Sequence, residues 1–299
     1  MRNPHLTHIY TNPYASTSCQ TGEEDTERNV NRILPWFPSD TEARFNENLA
    51  MRDKKKELEA AGWYRNDKIT EILYRVNEFG FRGDSLSSEN ISELQNNCVM
   101  FLGCSNMFGV GEFEKNTIPE KFKAITGENV VNLGQPGGSL DACVRVAMHW
   151  VPLLKPKAIF LLHPPGVRRE IYLPSRFDEA GHQIAAQWGQ WGLRNGAGFE
   201  WCHDPSSEGA DILSRSWTLP EEETVSRDKN MWALRGLANQ FLGNDHIYQH
   251  HSYDHKIRKE SLNKARDLMH NNHLFYEWFA NSWARQWMNR TIVSTRPEN

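Results

Sequence analysis

Cys98–Gly111 reads CVMFLGCSNMFGVG, and the fold turns on its two halves. The first half is an unbroken apolar run closed by Gly103 and followed by small residues. That pattern predicts a parallel strand buried on both faces. Gly103 permits a sharp turn, after which a short helix can begin at Ser105. In open α/β sheets, sites form beyond the carboxyl ends of the strands, near the point where strand order reverses. A serine in such a turn is exposed and close to free backbone N–H groups, which suits a nucleophile.

The same grammar continues outward. Residues 118–127 (IPEKFKAITG) read as a helix with a glycine stop, and 128–134 (ENVVNLG) as a short strand. Residues 139–156 (SLDACVRVAMHWVPLLKP) read as an amphipathic helix from a serine start to a proline stop, and 157–163 (KAIFLLH) as another buried strand. This β-α-β-α-β alternation predicts a doubly wound parallel sheet with right-handed crossovers. Further helices are expected at 227–243 and 270–288, and a strand at 245–251. Upstream, ITEILYRVN from about residue 69 reads as β structure, and a stretch near 40–61, opened by a Ser/Asp cap and closed by a glycine, reads as one helix. Residues 1 to about 39 are polar and weakly patterned, an extended arm able to pack on the body or on a neighbouring chain. Between about 164 and 225 the pattern fades into Trp- and Gly-rich sequence, expected to be an insertion or lid rather than a sheet element. The expected organisation is an arm and helix over 1–68, a catalytic domain over 69–290 and a tail over 291–299.

Composition narrows the function classes. The 299 residues include 11 Trp and 14 Phe, enough for a substantial core. A formal charge of −4, without long charge runs, argues against nucleic acid as an obligatory partner. Five cysteines form no CxxC pair, which suits reduced thiols in a cytosol. No signal peptide and no apolar run long enough to span a membrane is read, so a cytoplasmic location is expected.

Two serines compete for the nucleophile's role. Gly83-Asp84-Ser85-Leu86 spells a tetrapeptide known from serine hydrolases, but charged, glycine-broken sequence precedes Ser85 and a cap-rich loop follows it. Ser105 has the strand-turn-helix context that Ser85 lacks. A serine that merely caps a helix is the bland alternative, so a partner must be found. KARDLMH supplies one: at three residues' spacing Asp267 can hold His270 through Nδ1, leaving Nε2 for a serine hydroxyl.

These blocks together resemble the SGNH/GDSL hydrolase superfamily, in particular the subgroup with an N-x-x-G-F-R-G element ahead of the nucleophile strand, here Asn77–Gly83. FLGCSNMFGVG resembles the first block, with Ser105 as nucleophile and Cys104 where aspartate is usual. VNLGQPGGSLD resembles the second, whose glycine gives an oxyanion N–H, and Gly137 matches best. ARDLMH resembles the last, with Asp267 and His270 as acid and base. The resemblance covers roughly residues 70–285 and implies a flavodoxin-like α/β domain with a mostly parallel five-stranded sheet. It implies a serine esterase acting through an acyl-enzyme, without metal or organic cofactor, and with activity falling as pH drops through the histidine range near 6.5. The chain departs from the third block, Gly-x-Asn, where it reads LLHPPGVRRE; His163 or Arg168 can stand in for the missing asparagine, or the N–H groups of Ser105 and Gly137 act alone. The loss of one oxyanion donor commonly lowers rate by roughly 10²–10³.

The aromatic insertion favours an acetylated carbohydrate among short acyl esters. Rival readings are an SGNH-fold binding or assembly module, including a virion-associated one, with homo-oligomers formed through the arm, and an acyltransferase. A thiol nucleophile at Cys104 and a metal site in DHIYQHHSYDH (His246, His250, His251, Asp254, His255) are weaker alternatives.

Overall fold

A computed structural model of the chain describes residues 31–37, 39–65, 68–69, 71–165, 168–173, 176–177, 183–184, 187–193, 199–201, 220–243, 246–251 and 264–294. The elements that matter run in this order: β1 (Arg32–Leu34), α1 (Glu42–Ala50), α2 (Arg52–Ala60), β2 (Tyr74–Val76), α3 (Ser88–Leu94), β3 (Cys98–Gly103), α4 (Ser105–Phe108), α5 (Ile118–Thr126), β4 (Asn129–Gly134), α6 (Leu140–Leu154), β5 (Ile159–His163), β6 (Arg169–Leu173), β7 (Gln187–Leu193), β8 (Phe199–Trp201), α7 (Pro220–Leu242), β9 (Ile247–His251) and α8 (His273–Ser294).

The central sheet has four strands in the order β9-β5-β3-β4, all parallel. From β3 the chain crosses to β4 on one side, then returns to β5 and β9 on the other, so strand order reverses between β3 and β5. That is where a flavodoxin-like sheet opens its ligand crevice. Every residue of β3 and β5 is buried. Met100, Leu102 and Leu161 pack towards α6 and α7, against Trp150 and Leu234. Val99, Phe101 and Phe160 pack towards α5 and α8, against Phe122, Phe279 and Trp283. The continuous apolar spelling of these strands follows from that double coverage.

The expected fifth strand is absent from this sheet among the described residues. Tyr74–Val76 instead pairs antiparallel with Arg32–Leu34 in a small sheet of its own. Its burial alternates, Tyr74 and Val76 in and Arg75 out, as expected for a strand covered on one face only. Three other expectations are corrected. The single helix near 40–61 is two, because Met51 adopts extended angles (φ −91°, ψ 118°), and no proline or glycine marks that break. Thr41 caps the first of them, accepting from Arg44 N at 3.2 Å, in place of the serine or aspartate before it. The Trp/Gly-rich insertion does contain sheet: β7 pairs antiparallel with both β6 and β8. Glycines at 189 and 192 interrupt the alternation that would have announced this strand.

The N-terminal helices sit on the body. Phe37, Phe45, Leu58 and Trp63 form one buried cluster with Tyr74, Phe108, Val110 and Leu268. Of the arm expected over residues 1 to about 39, residues 1–30 lie outside the described residues, while Arg32–Leu34 pairs with β2 and Phe37 is buried on the body. Among the described residues, no helix is long and apolar enough to cross a membrane.

Candidate active site

Ser105 is the first residue of α4, directly beyond β3, and is 7% exposed. As an initial helical residue, it keeps a backbone N–H with no intrahelical acceptor. The short helix lies tight on the neighbouring strand end: a Cβ on Gly134 would fall 2.4 Å from Phe108 N. Only glycine at the end of β4 allows this approach. The next loop is held to the same edge, since Gln135 N donates to Gly103 O at 2.9 Å. It carries Gly137 at φ 76° and ends in Ser139, which caps α6 by accepting from Ala142 N at 3.2 Å.

The last block arrives from the opposite side. Asp267 Oδ2 lies 2.5 Å from His270 Nδ1, and Oδ1 accepts the N–H groups of Met269 and His270, each at 3.0 Å. The Asp267 side chain is fully buried and that of His270 is 15% exposed. Burial by itself pushes the Asp267 carboxyl up, but the charge of His270 and these three hydrogen bonds outweigh it and hold the group below its ordinary value. With Nδ1 engaged by Asp267, Nε2 is the nitrogen left to meet a hydroxyl.

The loops bearing Ser105 and His270 touch through their neighbours. Asn271 Nδ2 donates to Asn106 Oδ1 at 3.4 Å, and Arg266 N donates to Gly111 O at 2.9 Å. Gly111 has φ 74°, and a Cβ there would lie 2.8 Å from Ala265 Cβ and 3.3 Å from Asp267 Oδ1. Among the described residues no hydrogen bond joins Ser105 directly to His270; Ser105 Oγ contacts Cys104 Sγ at 4.0 Å.

Five buried polar residues brace this junction. Arg82, from the Asn77–Gly83 element, donates to the carbonyls of Leu73, Gly109 and Glu112 and lies 4.5 Å from the Tyr74 ring centroid. Asn77 folds the turn before it, its Oδ1 accepting from Phe79 N and Phe81 N. Arg266 is 1% exposed, donates to Asp40 Oδ2 at 2.7 Å and to Pro35 O, and stacks on Trp36 at 3.8 Å. Asp40 also accepts from Tyr74 Oη at 2.5 Å, which in turn accepts from Gly111 N at 2.8 Å. Glu112 accepts from Phe113 N, Asn116 Nδ2 and His273 N, tying the Gly111 loop to the start of α8. Sequence reading missed Asp40, Arg266 and Glu112. Only Glu112 carried a local signal, a charge closing the Gly-rich stretch GVGE, where a charge stays buried only when paired; Asp40 and Arg266 stand among other charges in PSDTEAR and KARD.

The remaining expected residues separate. Arg168 Nη1 reaches Gly138 O at 3.4 Å and so joins the loop bearing Gly137. His163 turns elsewhere: Nε2 meets Gln249 Oε1 at 2.9 Å and the ring stacks on His251. The Glu170 side chain is 2% exposed and is held by Arg145 at 2.7 and 2.9 Å. Ser85 donates to Glu78 at 3.0 Å and accepts from Ser87 N, a loop role. His246 contacts Lys157 O, His250 packs among Trp278, Phe279 and Trp283, and His251 stacks on His163, so these three do not converge; Asp254 and His255 lie outside the described residues. Comparison with protein-family models and with the curated proteins gave no match.

Proposed function

We propose that the chain is a serine ester hydrolase of SGNH type. The observation that carries the reading is the buried Asp267–His270 clasp, delivered by a loop bonded to the one that follows Ser105. In this reading His270 Nε2 takes the Ser105 proton as Oγ adds to the ester carbonyl. Asp267, ionised and fully buried, steadies the imidazolium. N–H groups of Ser105 and Gly137 hold the oxyanion, and Arg168 supports the Gly137 loop from its Gly138 carbonyl. Collapse of the tetrahedral adduct passes the proton from His270 to the leaving alcohol and leaves an acyl-Ser105. Water, deprotonated by the same histidine, then releases the acid. Acetylated carbohydrate is the proposed substrate.

The decisive experiment is fluorophosphonate labelling of the full chain with mapping of the modified residue. Modification at Ser105, absent in His270→Ala, is the expected result. An unlabelled Ser105 in folded protein overturns the reading in favour of a binding module on the same fold. That second reading draws on the Ser105 contact with Cys104 rather than His270.

A further inference from the structure

Beside the serine, on the same edge of the sheet, a cavity of about 410 Å³ opens where β5 and β9 end against α7. Its size suits a small ring-bearing ligand. The β3–β5 register pairs Leu102 with Leu161, and a Cβ on Gly103 would lie 2.9 Å from Leu162 O. One residue further, His163 therefore stands beside the Cys104–Ser105 turn, across the crevice where strand order reverses.

The lining is unusual in charge. Arg227, Trp232 and Arg235 come from α7, and His163, Gln249 and His251 from the strand ends. The acid in this lining is Asp228, already paired with Arg227 at 3.3 Å. Among the described residues Arg235 forms no ion pair. His163 is 4% exposed and its ring stacks on His251 with centroids 4.3 Å apart. Burial first, then the neighbouring His251 and Arg227, hold it down at about 4 against the Gln249 hydrogen bond. Two guanidinium groups against one carboxylate leave this lining net positive, a charge that a bound anion would balance. At the mouth, Trp232 is 81% exposed, an uncommon position for so large an apolar ring.

We infer that this pocket binds a carboxylated sugar ring, a hexuronate unit, with Arg235 and Arg227 on the carboxylate and Trp232 against the ring face. A guanidinium fork matches a carboxylate in plane, and an exposed indole offers a flat apolar surface to a pyranose. As a subsite this rests on the hydrolase reading and narrows its substrate to an acidic acetylated polysaccharide. Binding itself needs no reaction at Ser105, so the two stand or fall separately.

The test is calorimetric titration of the full-length Ser105→Ala protein with three probes: an unacetylated galacturonate oligosaccharide, a neutral galactose oligosaccharide of equal length, and inorganic phosphate. Saturable binding of the acidic oligosaccharide is expected, at least ~10-fold tighter than of the neutral one. Arg235→Ala and Trp232→Ala, both on the outer face of α7, should each weaken it ~10-fold while leaving the unfolding temperature unchanged. No saturable binding, equal affinity for the neutral sugar, or indifference to either substitution overturns the inference. Phosphate binding that needs Arg235 but not Trp232 would reveal a plain anion site and overturn it too. Labelling of wild-type Ser105 without oligosaccharide binding removes only the pocket; binding without labelling removes only the hydrolase.

Discussion

The two ends of one sheet edge handle charge in opposite ways. Around β3, ionic groups are buried in closed sets: Asp40 with Arg266 and Tyr74, Asp267 with His270, Glu112 with three N–H donors. Around β5 and β9, two arginines and two stacked imidazoles line an open cavity with one acid among them. Closed sets fix loops in place, because breaking one leaves a buried charge alone. An unbalanced set fixes nothing internally, and its complement must come from outside. The first arrangement is what preorganised chemistry needs, the second what recognition needs.

The sharpest way to break this comparison is to remove the proposed chemistry. Ser105→Ala is expected to cut ester turnover by about 10⁴ or more, and Asp267→Asn by about 10⁴ by misplacing the imidazole proton. Steady-state assays with acyl-nitrophenol esters and acetylated sugars check both. Full activity in Ser105→Ala would end the hydrolase reading at that position.

Next in size is the frame. Asp40→Ala leaves Arg266 buried without its carboxylate and is expected to cost about 3–5 kcal/mol of unfolding free energy. Asp228→Ala, in the open set, removes an exposed partner and should change stability by no more than about 0.5 kcal/mol. Urea unfolding of the two variants reads the contrast. Equal effects would mean that the closed set does not brace the fold.

His163 gives the comparison a pH signature. Its folded value, about 4, lies below the ordinary 6.5, so the folded state resists protonation. The associated stability is fully present above 6.5 and is lost as pH falls from 6.5 towards 4, about 1.4 kcal/mol per unit. Asp267 is depressed as well, but as an acid its contribution persists above the usual carboxylate range and is lost only as pH falls through its lowered value. Between pH 7.5 and 5, wild type should thus lose about 2 kcal/mol more than His163→Gln. Identical slopes would show that this imidazole is not held neutral by its surroundings.

How much of this was legible in the sequence depended on range. β3, β4, β5 and α6 were readable because double burial and local capping are written in adjacent residues, as the apolar run at 98–103 and Ser139 show. The DxxH spacing placed Asp267 against His270 because a three-residue turn is local too. What holds their loop against the one that follows Ser105 is not local. Asp40 meets Arg266 across 226 positions, and His273 N meets Glu112 across 161. No periodicity records such pairings. The partner of Tyr74–Val76 was hidden for the same reason, since Arg32–Leu34 lies in weakly patterned sequence.

The smallest expected effect concerns the tetrapeptide that first suggests a hydrolase. Asp84 pairs with Arg75, but their side chains are 72% and 46% exposed. The same carboxylate–guanidinium chemistry that is indispensable between Asp40 and Arg266 is here worth about 0–1 kcal/mol, because water solvates both partners when the pair is broken. Asp84→Ala combined with Ser85→Ala should leave ester turnover within about two-fold of wild type and shift unfolding free energy by no more than about 1 kcal/mol. A large loss of turnover would move the nucleophile to Ser85. A large loss of stability would mean that burial does not set the worth of these pairs, and the contrast between the two ends of the sheet would lose its physical basis.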